Sequence, residues 1–153
     1  MTFLQAAFSF MLAWLLAAMA QADEQQSLLQ AGAYEVTYRL ELPHVEMWAV
    51  DKTRTIRVAD AGAAGIAPLP VLSGNNPLAQ CPAENIRREG ATLQFDIVCD
   101  GRNAARAHAV YTLTPDGFKG RIAMVMGAKN MTMTEVQIGR RVSGRDLASA
   151  PQD

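Results

Sequence analysis

Charge is missing from the start of this sequence. Between Met1 and Ala22 there is no Asp, Glu, Lys or Arg. From Ala6 to Ala20 only Ser9 interrupts an apolar run. A run of that length matches the hydrophobic region of a secretory signal peptide. Two small-x-small patterns follow, Ala18-Met19-Ala20 and Ala20-Gln21-Ala22, and then the polar stretch Asp23-Glu24-Gln25-Gln26. These features predict a cleavable signal helix over 1–22 and a mature chain that is periplasmic or secreted. A retained anchor is the rival reading, since the apolar run is at the short edge of the ~20 residues that span a bilayer. The cleavage patterns favour removal, which leaves no membrane span. No cysteine follows the apolar run to take a lipid.

Cysteine is scarce as well: there are two, Cys81 and Cys99. No CxxC pair exists and no histidine lies beside either, which argues against a metal or redox site. An even count in an exported chain predicts a disulfide. It would close a loop of roughly 18 residues, for which chain entropy gives about 3 kcal/mol.

Charge imbalance is also lacking. Fourteen basic and fifteen acidic residues leave a net charge of −1. That excludes the electrostatic footprint of a nucleic-acid binder. There are no repeats, no glycine-rich phosphate loop, no zinc-ligand spacing and no triad order. The remaining length suits one domain, expected over 23–142 with a polar tail at 143–153.

What the chain does contain is alternation. In Tyr34-Glu35-Val36-Thr37-Tyr38-Arg39-Leu40-Glu41, every second residue is apolar. This is the period of a half-buried strand. A strand is expected at Thr53–Val58, a loop at 59–75 and one helical turn at Asn76–Gln80. Thr92–Cys99 alternates again, with Cys99 in phase with Leu93, Phe95 and Ile97. Strands follow at Ala105–Thr114, Phe118–Met126 and Met131–Val142. Pro115-Asp116-Gly117 is a turn in which proline presets φ and glycine tolerates positive φ. The expected fold is mostly β: an antiparallel meander forming a barrel-like or strongly curved sheet.

The order of these features resembles a known family. An exported start is followed by GAYEVTYRLELP, a Cys, a strand ending in a second Cys, GFKGRIAMVM, MTM and GRRV. This is similar to the bacterial exported family called domain of unknown function 3617. Its members open on G-x-W-E-V, where this chain has Tyr34, and close on G-R-R-hydrophobic-G-x-C. Many members carry a second cysteine pair. Here Val58 lies near the first of those positions and Arg145 or Asp146 near the second. The resemblance implies that Cys81–Cys99 is the retained bridge. It supplies no activity.

The methionines carry the sharpest chemistry. Met124, Met126, Met131 and Met133 form two M-x-M pairs across an expected hairpin. Residues i and i+2 of a strand share a face, and thioethers are soft ligands that suit Cu(I). A copper site is therefore one reading, to which His44 and Met47 could add. The simpler reading is packing, since methionine fills irregular cores. His108 falls on the polar phase of its strand, and His44 has no evident partner. Asp96 and Asp100 flank the cystine and read as solvated carboxylates.

The leading expectation is a non-enzymatic domain that binds an apolar small molecule or assists an envelope protein. Its candidate pocket is the inner face of the sheet, lined by Tyr34, Tyr38, Trp48, Tyr111, Phe118, Met124 and Met126. A copper-binding protein is the second reading. An envelope enzyme comes last, because no nucleophile–base pair is visible.

Overall fold

A computed structural model describes residues 29–58, 68–101, 104–127 and 131–142. The expected signal at 1–22, the lead-in to residue 28, the 59–67 part of the connection and the tail from 143 lie outside the described residues.

Seven strands form: β1 (Gly32–Glu41), β2 (Lys52–Val58), β3 (Ala83–Glu89), β4 (Thr92–Val98), β5 (Arg106–Thr114), β6 (Gly117–Met126) and β7 (Met131–Arg141). They make one antiparallel sheet in the order β2-β1-β7-β6-β5-β4-β3. Strands β3 to β7 are a simple meander. The β1–β2 hairpin then adds to its end, so the first strand lies against the last, with Tyr34 opposite Arg141 and Glu41 opposite Thr134. The sheet curls without closing, leaving β2 and β3 as edges. Val58 of β2 and Ile86 and Arg88 of β3 nevertheless line one gap of about 200 Å³. The two edges are thus brought round toward each other.

Burial follows the alternation. Along β5 every second residue is buried, Ala107, Ala109, Tyr111 and Leu113, and the residues between face water. Leu93, Phe95 and Ile97 repeat this on β4. Strand β3 is the element the sequence reading lacks. Its sequence AENIRRE buries only Ala83, so no apolar phase marks it. It is an edge, interrupted by a bulge between Glu84 and Arg87. Charges and a bulge are common devices for keeping an edge from pairing with other chains.

Four aromatic rings anchor the concave face. Tyr111 stands edge-on to Phe118 at 5.7 Å and stacks on Phe95 at 5.9 Å, while Tyr34 lies 5.8 Å from Phe118. Such contacts contribute about 0.5–1.5 kcal/mol each beyond area burial. Glycine makes room for the rings. Gly120 sits directly across from Tyr111, and a Cβ there would fall 2.0 Å from the ring. Gly139 stands in the same relation to Phe118. We therefore expect Gly120→Ala to cost about 2 kcal/mol through overpacking. Gly74→Ala, in open space, should stay within about 0.5 kcal/mol. Denaturant midpoints of the two variants check this; equal midpoints would refute it.

The mouth of the curl is covered by residues 68–82. Leu69, Val71, Leu72 and Leu78 from this segment are all buried in the common core. A short 3-10 helix, Pro77–Gln80, forms where a helical turn is expected, and the Asn76 side chain accepts a hydrogen bond from the Leu78 amide. Beneath the cover lies a polar network. Glu135 is fully buried. One carboxylate oxygen accepts from the Leu72 amide and the other from the Ser73 amide, both at 2.8 Å. Gln137, also fully buried, donates to Glu135 at 2.6 Å and to the Pro70 carbonyl at 2.8 Å. Its own amide oxygen accepts from the Tyr111 hydroxyl at 3.0 Å. Among the described residues no buried side-chain polar atom lacks a partner.

The predicted disulfide, Cys81–Cys99, is formed. It ties the end of the cover to the end of β4. Both cysteines are half-buried and pack against the core, rather than being enclosed as the phase of Cys99 implies.

Candidate functional site

The register gathers sulfur at one end of the sheet. Met124 lies opposite Met133, and Met126 opposite Met131. Met124 follows the buried phase of β6, and Met131 and Met133 share the phase of buried Glu135 and Gln137 on β7. All four methionines therefore sit on the concave face. They form a ladder from the core to the rim. Met124 is 1% exposed, Met126 and Met133 are half-buried, and Met131 is 55% exposed. The Met124 sulfur also accepts a hydrogen bond from Asn76 Nδ2 at 3.1 Å, which marks it as a packed core group.

The same end carries the cystine. Cys99 donates its amide to the Ala105 carbonyl, one step beyond the Arg106–Val125 and Val125–Thr132 pairs. The connection between β1 and β2 also emerges there, beside Thr134. Every methionine among the described residues and both cysteines thus lie at this end.

The 42–51 connection is an ordered apolar tip. A 3-10 helix at Glu46–Trp48 is built from turns in which the Val45 amide donates to Leu42, Trp48 to Val45 and Ala49 to Glu46. The Glu46 carboxylate accepts from the His44 amide at 3.0 Å. His44 itself has φ of 68°. The turn leaves its large side chains outside: Met47 is 85% exposed, Trp48 76% and Val50 70%, with Leu42 and Val45 partly so. The base of the tip is held by Glu41, which accepts from Arg39 and Arg121, each at 2.9 Å. These hydrogen bonds, Arg39 first, hold the Glu41 carboxyl below its ordinary range.

The inner-face pocket expected from the sequence is corrected by these placements. Tyr34, Tyr111, Phe118 and Met124 are all at 2% exposure or less. The cover at 68–82 fills the space they face, so they have no surface for a ligand. Burial pushes the Tyr111 phenol well above its usual range, with Glu135 adding to the effect. Tyr34, likewise raised by burial, donates to the Gln30 carbonyl at 2.8 Å. Tyr38 and Met126 are half-buried against the core. Trp48 is not on the inner face at all, because the turn at 46–48 breaks the strand phase and turns it to water.

One pair was not expected. His108 and Asp96 are cross-strand neighbours, with Nδ1 and Oδ1 2.7 Å apart. Asn85 donates to the other Asp96 oxygen at 2.9 Å. The His108 hydrogen bond, then that from Asn85, lowers the Asp96 pKa. The pair lines an outer-face trough of about 510 Å³ with Arg106, Val98 and Thr132. Among the described residues no hydroxyl or thiol is hydrogen-bonded to His108.

Residues 29–146 match the model of a family described as Protein of unknown function (DUF3617). The chain belongs to that family. The match takes in all seven strands, the cover and the cystine. No curated protein and no solved structure matches this DUF3617 chain. Val58 is a buried side chain of β2, at the end of the sheet opposite the sulfur-rich rim.

Proposed function

We propose that this DUF3617 chain is an exported, non-enzymatic binding domain that captures an apolar molecule of the cell envelope at its sulfur-rich end. The observation that carries this reading is the 42–51 tip. It is an ordered turn whose Trp48, Met47 and Val50 are directed away from the core. Five large apolar side chains exposed within nine residues form the kind of patch that marks interaction sites. Trp and Met are also side chains that bury large area on contact, rigid in one case and adaptable in the other.

Export is supported by the disulfide, which persists in oxidising compartments, and by the uncharged apolar start of the sequence. Among the described residues, no helix is long and apolar enough to cross a membrane.

Trp48 provides the test, because the second tryptophan, Trp14, lies within the signal expected to be removed. Titrating the periplasm-purified protein with fatty acids of graded length should shift Trp48 emission to the blue and saturate. Trp48→Ala, read by calorimetry, should weaken binding about tenfold, equal to about 1.4 kcal/mol. An emission spectrum that stays unchanged across the whole series would overturn the reading.

A further inference from the structure

We infer that Met126, Met131 and Met133 form a Cu(I) site at the rim of the sheet. This goes beyond the apolar-capture reading, since it concerns other residues and a different class of ligand. It stands on the register, which the sequence alone does not supply. Met126 and Met131 are direct cross-strand neighbours, and Met133 is diagonal to Met126 on the same face. Directly opposed side chains have Cβ atoms about 4.5–5.5 Å apart, and diagonal positions are about 7–8 Å apart. The three rotatable bonds of methionine span such distances, so three sulfurs can converge on one ion without backbone movement.

Exposure separates these three from the fourth rung. Met124 is enclosed and its sulfur is engaged by Asn76. Met126 and Met133 are half-buried and Met131 opens to solvent. That gives an ion both a route in and a partly dry seat. A hairpin end has no packing need for an exposed thioether, and a leucine or threonine would serve the strand as well.

The chemistry selects the metal. Neutral thioethers are poor ligands for hard or borderline dications and good ones for Cu(I). Among the described residues no group of three or more His, Cys, Asp or Glu could hold a metal, so no harder donor set competes nearby. The cysteines are locked in the disulfide and are not available as thiolates. The site needs no redox step: it takes Cu(I) as Cu(I), and an all-thioether set disfavours oxidation to Cu(II).

The test is an anaerobic competition of the intact-disulfide protein against a colorimetric Cu(I) chelator. Thiol titration before and after excludes binding by reduced cysteine. We expect one equivalent of Cu(I), and X-ray absorption showing sulfur-only first neighbours. Met126→Leu/Met131→Leu/Met133→Leu should weaken binding about 100-fold or more, since loss of even a ligand's supporting partner costs 10–100-fold. Met-to-Leu exchange conserves volume, and Met131→Leu alone, at a solvent-facing position, provides a variant that cannot fail by misfolding. Met47→Leu and His44→Ala should bind as wild type. No competition by the wild-type protein, or equal competition by the triple variant, would overturn the site. Fatty-acid titration of the triple variant should still shift Trp48 emission, which separates failure here from failure of the apolar-capture reading.

Discussion

Glu135→Ala is expected to destabilise the domain by about 2–5 kcal/mol, because it strands the neutral donors that the buried carboxylate holds. Two backbone amides, Leu72 and Ser73, would lose their only acceptor, and Gln137 would lose one of its two. Each stranded buried donor costs about 1–3 kcal/mol. A domain of this kind has about 5–15 kcal/mol in total, so the variant would sit close to the threshold of folding. Glu135→Gln separates charge from shape. It keeps one acceptor but turns an amide NH₂ toward a backbone N–H, and should fall between the variant and wild type. The readouts are denaturant midpoints and hydrogen exchange at Leu72 and Ser73, whose amides should lose protection before those of β5 and β6. A loss below about 1 kcal/mol would mean that the cover is held by its apolar residues alone.

The second large effect is at the cystine. Cys81→Ser/Cys99→Ser should cost about 3 kcal/mol from the entropy of the released loop. For a domain of this size that corresponds to a fall in Tm of about 10 °C. The loss should be read most strongly in the 76–82 segment and β3, which the bridge fastens to β4. Because Glu135 and the cystine restrain the same cover, the two sets of substitutions should not add. Once either has released the segment, removing the other should cost less. A fully additive double variant would show that the cover is two independent pieces.

The sequence was most legible where one face of a strand is wet. Alternation located β1, β2 and β4 to β7, and Pro115-Asp116-Gly117 located the β5–β6 hairpin, although Gly117 is not at positive φ and instead allows close approach to the Gly139 carbonyl. It failed at β3, where both faces are wet and Arg87 and Arg88 carry no phase. It was also silent on which face of β7 turns inward. There the inward residues are Met131, Met133, Glu135 and Gln137, while the outward phase holds Val136 and Ile138. A polar pair turned inward inverts the usual signal, and only the distant cover segment explains it. The site was legible by half. The M-x-M pairs were visible as a hairpin feature, but their alignment rung by rung depends on the register. Trp48 was expected on the inner face and lies outside it, because a 3-10 turn has no period to read. The aromatic residues that looked like a pocket lining were the core, since the sequence does not reveal that residues 68–82 come back over them.

The pairing of β1 with β7 sets the timing of assembly. For a chain delivered N-terminus first, from a ribosome or through a membrane channel, the hairpin of β1 and β2 emerges early with one side unsatisfied. Its partner is the last strand to arrive. Contacts this distant in sequence make folding slow, and in the interval β1 presents an open row of backbone donors and acceptors. The fold therefore completes only after nearly the whole chain has been delivered. The keystone of the sheet is thus its final strand.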